Sequence, residues 1–313
     1  MSSAVDLPRI ANGTAARTVA QAKLNLFLRV LAREASGYHQ IETLFCRLEL
    51  GDDVVVRTNV RGRSLDCVGD AIPPEGLGPT ERNLGWRAAA AYSAATGWPN
   101  DWAVEISKRV PVGGGMGGGS ADAGAVLRCL NALSPRPLSE HELLSLAAPL
   151  GADVPFLSID APLALAWGRG ERLLKLPALP SRDVALITFP FGVVTRDAYG
   201  WLDDARGGDG SDANTLTLHD LSTWSGVCRL AHNDFEPVVS RRIADVAASL
   251  SMLRTTLATG RDRDAIALLA GSGATVFLVS DDLPLREVRA EGIASRTLRT
   301  RTATRVVDVE VSG

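Results

Sequence analysis

The sequence predicts an α+β fold in two parts, and three observations carry that prediction. Its 313 residues suit about two domains of roughly 100–200 residues each. Strand-like and helical segments are mixed through both halves, without the regular alternation of a doubly wound parallel sheet. The composition, 46% hydrophobic and 22% charged, supplies enough apolar surface for packed cores and excludes wholesale disorder. The net charge of −3 leaves no basic footprint, so no nucleic-acid partner is expected.

Along the chain, residues 1–17 read as a flexible tail. Residues 18–31 form an apolar strand with Lys23, Asn25 and Arg29 set into it, and 34–39 (EASGYH) form a turn. Residues 52–60 predict a strand. The Ala-rich stretch 83–96 predicts a helix, with Asn83 as N-cap and Gly97 as stop. The alternation in 102–108 predicts a half-buried strand ending at Lys108. A helix is expected over 120–133, where Val126, Leu127, Leu130 and Leu133 share one face. A second helix is expected over 139–150, opened by a Ser139/Glu142 capping box and ended by Gly151. Strand-like pieces and prolines around 160–180 mark the boundary between the parts. Beyond it we expect a strand at 184–189, helices near 196–204 and 241–259, a strand at 276–280, a helix near 285–292 and a strand near 305–311. Residues 205–214 (ARGGDGSDAN) read as a mobile loop. The arginines 296, 299, 301 and 305 read as a solvated strand face.

No run of 18 or more apolar residues exists and the first 17 residues lack an apolar stretch, so neither a membrane span nor a signal peptide is expected. Cys46, Cys67, Cys129 and Cys228 are widely spaced and form no CxxC pair, which predicts reduced thiols in a cytoplasmic protein rather than a metal site.

The strongest local signal is Pro111-Val112-Gly113-Gly114-Gly115-Met116-Gly117-Gly118-Gly119-Ser120, with six glycines in seven positions between a predicted strand and a predicted helix. Glycines let backbone N–H groups turn inward, and a helix N-terminus adds partial positive charge; together they make a phosphate cradle. The loop is neither a Walker A sequence, which needs Lys before Ser, nor a Rossmann fingerprint. The bland alternative is a flexible linker.

Other residues leave choices open. Three lysines stand against thirty arginines, so each lysine hints at a need for a compact ammonium. Period two puts Lys23 and Asn25 on one strand face, either solvated or lining a cleft. Asp153, in Gly151-Ala152-Asp153-Val154-Pro155-Phe156, is either a turn or N-cap residue or a general base. His39 is either structural or a site residue, and Tyr38 beside it offers a ring face to a base. Gly271-Ser272-Gly273 is either a ligand nest or a tight turn.

Taken together, AKLNLFLRVLAREASGYHQIETLF (22–45), RVPVGGGMGGGSADA (109–123), GADVPF (151–156) and GSGATVF (271–277) resemble the GHMP small-molecule kinases. Ala22-Lys23-Leu24-Asn25 and Gly37-Tyr38-His39 narrow the resemblance to the 4-diphosphocytidyl-2-C-methylerythritol kinase family of the non-mevalonate isoprenoid pathway. It spans about residues 18–280.

The resemblance implies a two-domain GHMP kinase fold: an ATP-binding ribosomal-S5-like part at 18–172, a substrate-binding ferredoxin-like part at 173–313, and an active site in the cleft between them. It implies transfer of the γ-phosphoryl group of ATP, with Mg²⁺, to the 2-hydroxyl of 4-diphosphocytidyl-2-C-methyl-D-erythritol, in a monomer or homodimer. Asp153 would accept the hydroxyl proton, while Lys23 would hold Asp153 ionised and offset charge on the attacking oxygen. ATP would meet Asn83, Lys108, Pro111 and the loop Gly113, Gly114, Gly115, Met116, Gly117, Gly118, Gly119 and Ser120. Asn25 would contact the substrate's diphosphate or hydroxyls. Tyr38 and His39 would hold the cytosine, with Thr195 and Tyr199 placed to close its other face, and Gly271, Ser272 and Gly273 would line the substrate side. Asp234 reads as helix-start structure.

Two features depart from the family pattern. Met116 stands where Leu or Ala is usual. Ala121-Asp122 stands where Ser-Asn is common, and a carboxylate there repels phosphate unless a metal offsets it, so no metal ligand is assigned. The competing readings are another GHMP kinase, acting on homoserine, mevalonate or a sugar, and a non-catalytic nucleotide- or RNA-binding module on the S5-like fold.

Overall fold

The computed structural model describes residues 14–207, 210, 213, 215–281 and 294–313. In chain order the elements are β1 (Ala15–Arg33), β2 (His39–Arg57), β3 (Arg63–Val68), α1 (Leu84–Thr96), β4 (Trp102–Ser107), α2 (Gly118–Leu133), α3 (Glu140–Ala147), α4 (Val154–Ser158), β5 (Leu163–Gly168), β6 (Arg172–Leu176) and β7 (Asp183–Thr188). They continue with α5 (Thr195–Arg206), α6 (Leu218–Leu221), α7 (Trp224–Leu230), α8 (Glu236–Arg242), α9 (Ala244–Thr259), β8 (Ile266–Leu269), β9 (Val276–Ser280), β10 (Arg296–Arg301) and β11 (Glu310–Ser312).

Two sheets organise these elements. The first is built on the β1–β2 hairpin and runs β11-β1-β2-β4-β3, with the β5–β6 hairpin paired to the other half of β2. Helices α1–α4 cover one face, packing Val126, Leu127 and Phe156 onto Phe45, Val54 and Val104. The second sheet is antiparallel, in the order β10-β7-β9-β8. On one face it carries α5, α8 and α9 through Ala198, Val239 and Leu253. Its other face meets the uncovered side of β1 and β2, where Leu24, Leu26 and Leu44 pack on Leu186 and Phe277. Both faces of β1 are therefore buried.

The capping signals are realised. Asn83 accepts from the Gly85 N–H, Gly97 closes α1 in the left-handed region, and Ser139 and Glu142 form the capping box of α3. The helix predicted over 139–150 ends in a 3₁₀ turn at Ala148–Leu150. The strand predicted at 52–60 is only the end of a 19-residue strand, β2. Its earlier half escapes a period-two reading because register shifts break the alternation and because it is covered on both faces. The strand expected near 305–311 is reduced to β11, which begins at Glu310; the arginine run lies ahead of it on β10, where Arg296, Arg299 and Arg301 are exposed, while Arg305 falls past the end of that strand. The helix expected near 285–292 and part of the 205–214 loop lie outside the described residues. So do residues 1–13 of the expected tail, whereas Ala15–Arg17 already pair with both β2 and β11. The domain division drawn at 172/173 falls inside β6, which is paired to β5 in the first sheet, and the C-terminal β11 also returns to that sheet.

Candidate active site

The site is a cleft of about 500 Å³ between the two sheets. Its floor comes from β1. Register shifts fall between Gln21 and Lys23 and between Asn25 and Phe27, so the pair Lys23 and Asn25 is bracketed by irregularities that re-aim side chains. Both are buried, at 4% and 2% exposure, and both line the cleft. The choice between a solvated face and a lined cleft thus falls to the cleft. Lys23 Nζ donates to Asn25 Oδ1 at 2.7 Å and to the Gly115 carbonyl at 3.1 Å. It also lies 3.2 Å from Asp153 Oδ2. Asn25 in turn donates to Thr43 Oγ1 at 2.8 Å, which fixes its amide.

Asp153 stands immediately before α4 but makes no capping hydrogen bond, so the N-cap role is not taken. Its carboxylate is a quarter exposed and faces the cleft beside Lys23.

The glycine loop forms the wall above this pair. A Cβ on Gly115 would sit 2.0 Å from the Ala270 carbonyl oxygen. One on Gly117, where φ is +70°, would press Lys23 Cε at 3.0 Å and Asp153 Oδ2 at 3.3 Å. Side chains here would displace the charged pair or the facing loop. The linker reading fails on this packing. Gly117 also caps α2 without a side chain, and the first N–H groups of an α-helix have no partner within it. The start of α2 therefore offers donors and the positive end of its dipole to the cleft.

Lys108 lines the cleft too, but its ammonium is held between two buried carboxylates, Asp52 at 2.5 Å and Asp122 at 2.7 Å. Asp52 also accepts from the Arg109 and Val110 N–H groups, anchoring the base of the loop. Burial, reinforced by Asp52, raises Asp122 to about 7 against the pull of Lys108. The carboxylate that looked repulsive in the sequence is thus paired rather than bare.

The opposite wall comes from the second sheet. Gly271-Ser272-Gly273 is a tight turn, with the Gly273 N–H on the Ala270 carbonyl at 2.8 Å, and it lines the cleft. Ser272 Oγ meets Thr195 Oγ1 at 3.0 Å, joining the turn to the start of α5. Asn233 Nδ2 holds the carbonyls of Leu269 and Gly271, both at 2.8 Å. Asn83, Pro111, Met116, Ser120, Thr195 and Tyr199 all face the same space.

Tyr38 and His39 stand outside the lining. Tyr38 is 60% exposed, with the Arg169 guanidinium 4.3 Å above its ring. His39 stacks on Tyr199 at 4.5 Å and 16° and holds Asp203 at 2.7 Å through Nε2. Phe235 meets Tyr199 edge-on at 4.8 Å, and burial pushes the Tyr199 hydroxyl up, so it stays neutral.

Sequence reasoning missed Asp52, Asn233 and Asp203, because their partners lie far away in the chain. It also misplaced Asp234, which does not start α8. Burial works against its charge, but hydrogen bonds from His232, the Val30 N–H and Arg206 hold its carboxyl well below the usual range and staple β1 to the second part. Among the described residues, no group of three or more His, Cys, Asp or Glu is placed to hold a metal ion.

The family described as "GHMP kinases N terminal domain" matches residues 83–159, which span α1, the glycine loop and Asp153. The 4-diphosphocytidyl-2-C-methyl-D-erythritol kinase of Geobacter sp. (strain M21) is 36% identical over 265 residues, covering 84% of this chain and 89% of that protein. The chain belongs to the 4-diphosphocytidyl-2-C-methyl-D-erythritol kinase family. The kinase of the same name from Anaeromyxobacter sp. (strain K) is 41% identical over 267 residues, covering 83% of this chain and 79% of its own length. A crystal structure of a 4-(cytidine 5'-diphospho)-2C-methyl-D-erythritol kinase superposes with a TM-score of 0.70 at 29% identity, over 91% of this chain and 98% of that one. Homoserine kinase from Cytophaga hutchinsonii shares the fold, with a TM-score of 0.65 at 15% identity, over 98% of this chain and 99% of that one. The two-sheet architecture is thus the GHMP kinase fold, and this family member is an ATP-dependent phosphotransferase acting on a small molecule. Among the described residues, no helix is long and apolar enough to cross a membrane.

Proposed function

We propose that the chain transfers the γ-phosphoryl group of ATP to the 2-hydroxyl of 4-diphosphocytidyl-2-C-methyl-D-erythritol, giving the 2-phosphate in the non-mevalonate isoprenoid pathway. The single observation that carries the chemistry is the Lys23–Asp153 pair, 3.2 Å apart beneath a glycine loop too tight for side chains. Asp153 takes the proton of the attacking hydroxyl as the new P–O bond forms and the β–γ bridge breaks to release ADP. Lys23 offsets the charge that develops on the attacking oxygen. Phosphoryl transfer asks mainly for positioning and neutralisation, and the donors at the start of α2 supply both to the phosphates.

On this reading ATP lies along Asn83, Pro111 and the glycine loop, with Lys108 beneath it. Mg²⁺ would accompany the nucleotide and would offset charge on its phosphates, with no cage of protein carboxylates required. The acidic groups nearest the loop are engaged with lysines, which supports that assignment. Asn25, Ser272 and the turn around it hold the methylerythritol diphosphate. The cytosine stacks on the face of Tyr199 turned away from His39, with Tyr38 closing over it. His39 acts here by fixing Tyr199. The four unpaired cysteines support a reducing, cytoplasmic location.

The test is product identity. Phosphorus NMR of the reaction mixture is expected to show ADP and one new phosphomonoester coupled through the carbon-2 oxygen. A phosphate on another hydroxyl would overturn the assignment of the acceptor.

A further inference from the structure

Arg47 is the largest charged side chain in the fully buried interior, at 1% exposure, and no ion pair is formed with it among the described residues. Its guanidinium is spent on backbone carbonyls. Nη2 donates to Phe156 O and Ile159 O, both at 2.9 Å, and Nε donates to Ala161 O at 3.0 Å. These carbonyls belong to the C-terminal end of α4 and the residues just after it, and α4 is the helix that Asp153 precedes.

The register of β1 and β2 sets Arg47 directly opposite Lys23. Like charges facing each other across a strand pair are unfavourable, yet here each cation is drawn to a different end of one short helix. Lys23 reaches Asp153 at the start; Arg47 reaches the carbonyls at the finish. Between them the Phe156 ring lies flat on Phe45, at 5.0 Å and 17°, with the Arg47 guanidinium 5.0 Å from the Phe156 ring. A five-residue helix without a side-chain cap does not hold its own place. Positive charge at a helix C-terminus is favourable, and only a planar fork of donors meets several carbonyls at once. Burial lowers the Arg47 pKa to about 9, which still leaves the group charged at neutral pH.

We propose that Arg47 is a positioning residue for phosphoryl transfer: by clamping the far end of α4 it fixes the Asp153 carboxylate against Lys23. The inference rests on the reading that Asp153 and Lys23 carry the reaction. The nucleotide wall does not depend on Arg47, because the loop is anchored separately through Asp52 and β4.

The experiment uses the full chain with Arg47→Lys and Arg47→Gln, each alone and combined with Asp153→Asn, after thermal unfolding has shown which variants fold. A displacement of about 1 Å costs on the order of 10²-fold in rate, so kcat is expected to fall at least tenfold in Arg47→Lys while KM for ATP stays within about threefold. In the Asp153→Asn background, adding Arg47→Lys is expected to cost nothing more, because no carboxylate remains to be placed. A purely structural role would lower kcat by the same factor in both backgrounds, and that result would overturn the proposal. So would wild-type kcat in Arg47→Lys, or failure of both Arg47 variants to fold, which would make the residue a support of the whole core. Near-wild-type turnover in Asp153→Asn alone would instead remove the reading of Asp153 on which the inference stands.

Discussion

Replacing Asp153 with Asn changes shape least and chemistry most. The amide keeps the volume of the side chain and one oxygen for Lys23, but it loses the negative charge and cannot take a proton. At 3.2 Å and an effective dielectric near 20, the two charges attract by about 5 kcal/mol before desolvation is counted. Asp153 is a quarter exposed, so water offsets part of this. Lys23 keeps Asn25 and the Gly115 carbonyl, at 2.7 and 3.1 Å, so the floor of the cleft survives. Loss of a positioned proton acceptor costs about 10²–10⁴-fold in rate, or roughly 3–5 kcal/mol of barrier. With both substrates saturating, kcat of Asp153→Asn is expected to fall by that factor. The ATP dissociation constant from calorimetry should stay within about threefold, because the glycine loop is intact. Turnover within about tenfold of wild type, roughly 1.4 kcal/mol, would refute the role given to this carboxylate.

The second sheet's wall and the buried charges give two more expectations. Tyr199→Ala should raise KM for the cytidyl substrate by about 5- to 150-fold, as loss of one base stack predicts, with little change in KM for ATP; equal changes in both would sink the stacking assignment. Asp122 is raised to about 7 in the fold, so between about pH 4 and 7 the native state binds more protons there than the unfolded chain does. Through that window Asp122 makes stability fall as pH rises, and Asp122→Asn should flatten the dependence of the urea midpoint between about pH 4 and 7. An unchanged pH slope in the variant would contradict it.

What the sequence disclosed was local. The glycine loop, the Asn83 and Ser139 caps and the stop at Gly97 each depend on residues a few positions apart, and each could be read before folding. The pairing of Lys23 with Asn25 on one face followed from strand periodicity, but its burial did not, because that needs the second sheet to cover β1. The Asp52–Lys108–Asp122 cluster joins residues 56 and 14 positions apart, with no pattern to link them. The His39–Tyr199 stack joins two parts of the chain that meet only once α5 is held to β2 through Asp203 and to β1 through Arg206. Likewise, nothing in residues 305–311 signals that the chain end returns to pair with Ala15–Arg17.

Release of ADP across a panel of acceptors tests the central claim most directly. The purified chain would receive Mg·ATP with 4-diphosphocytidyl-2-C-methyl-D-erythritol, methylerythritol phosphate, homoserine or mevalonate. Turnover with the cytidyl substrate alone is the predicted result. Turnover with homoserine or mevalonate in its place would leave the fold and the Lys23–Asp153 chemistry standing but contradict the substrate and the cytosine pocket built around Tyr199.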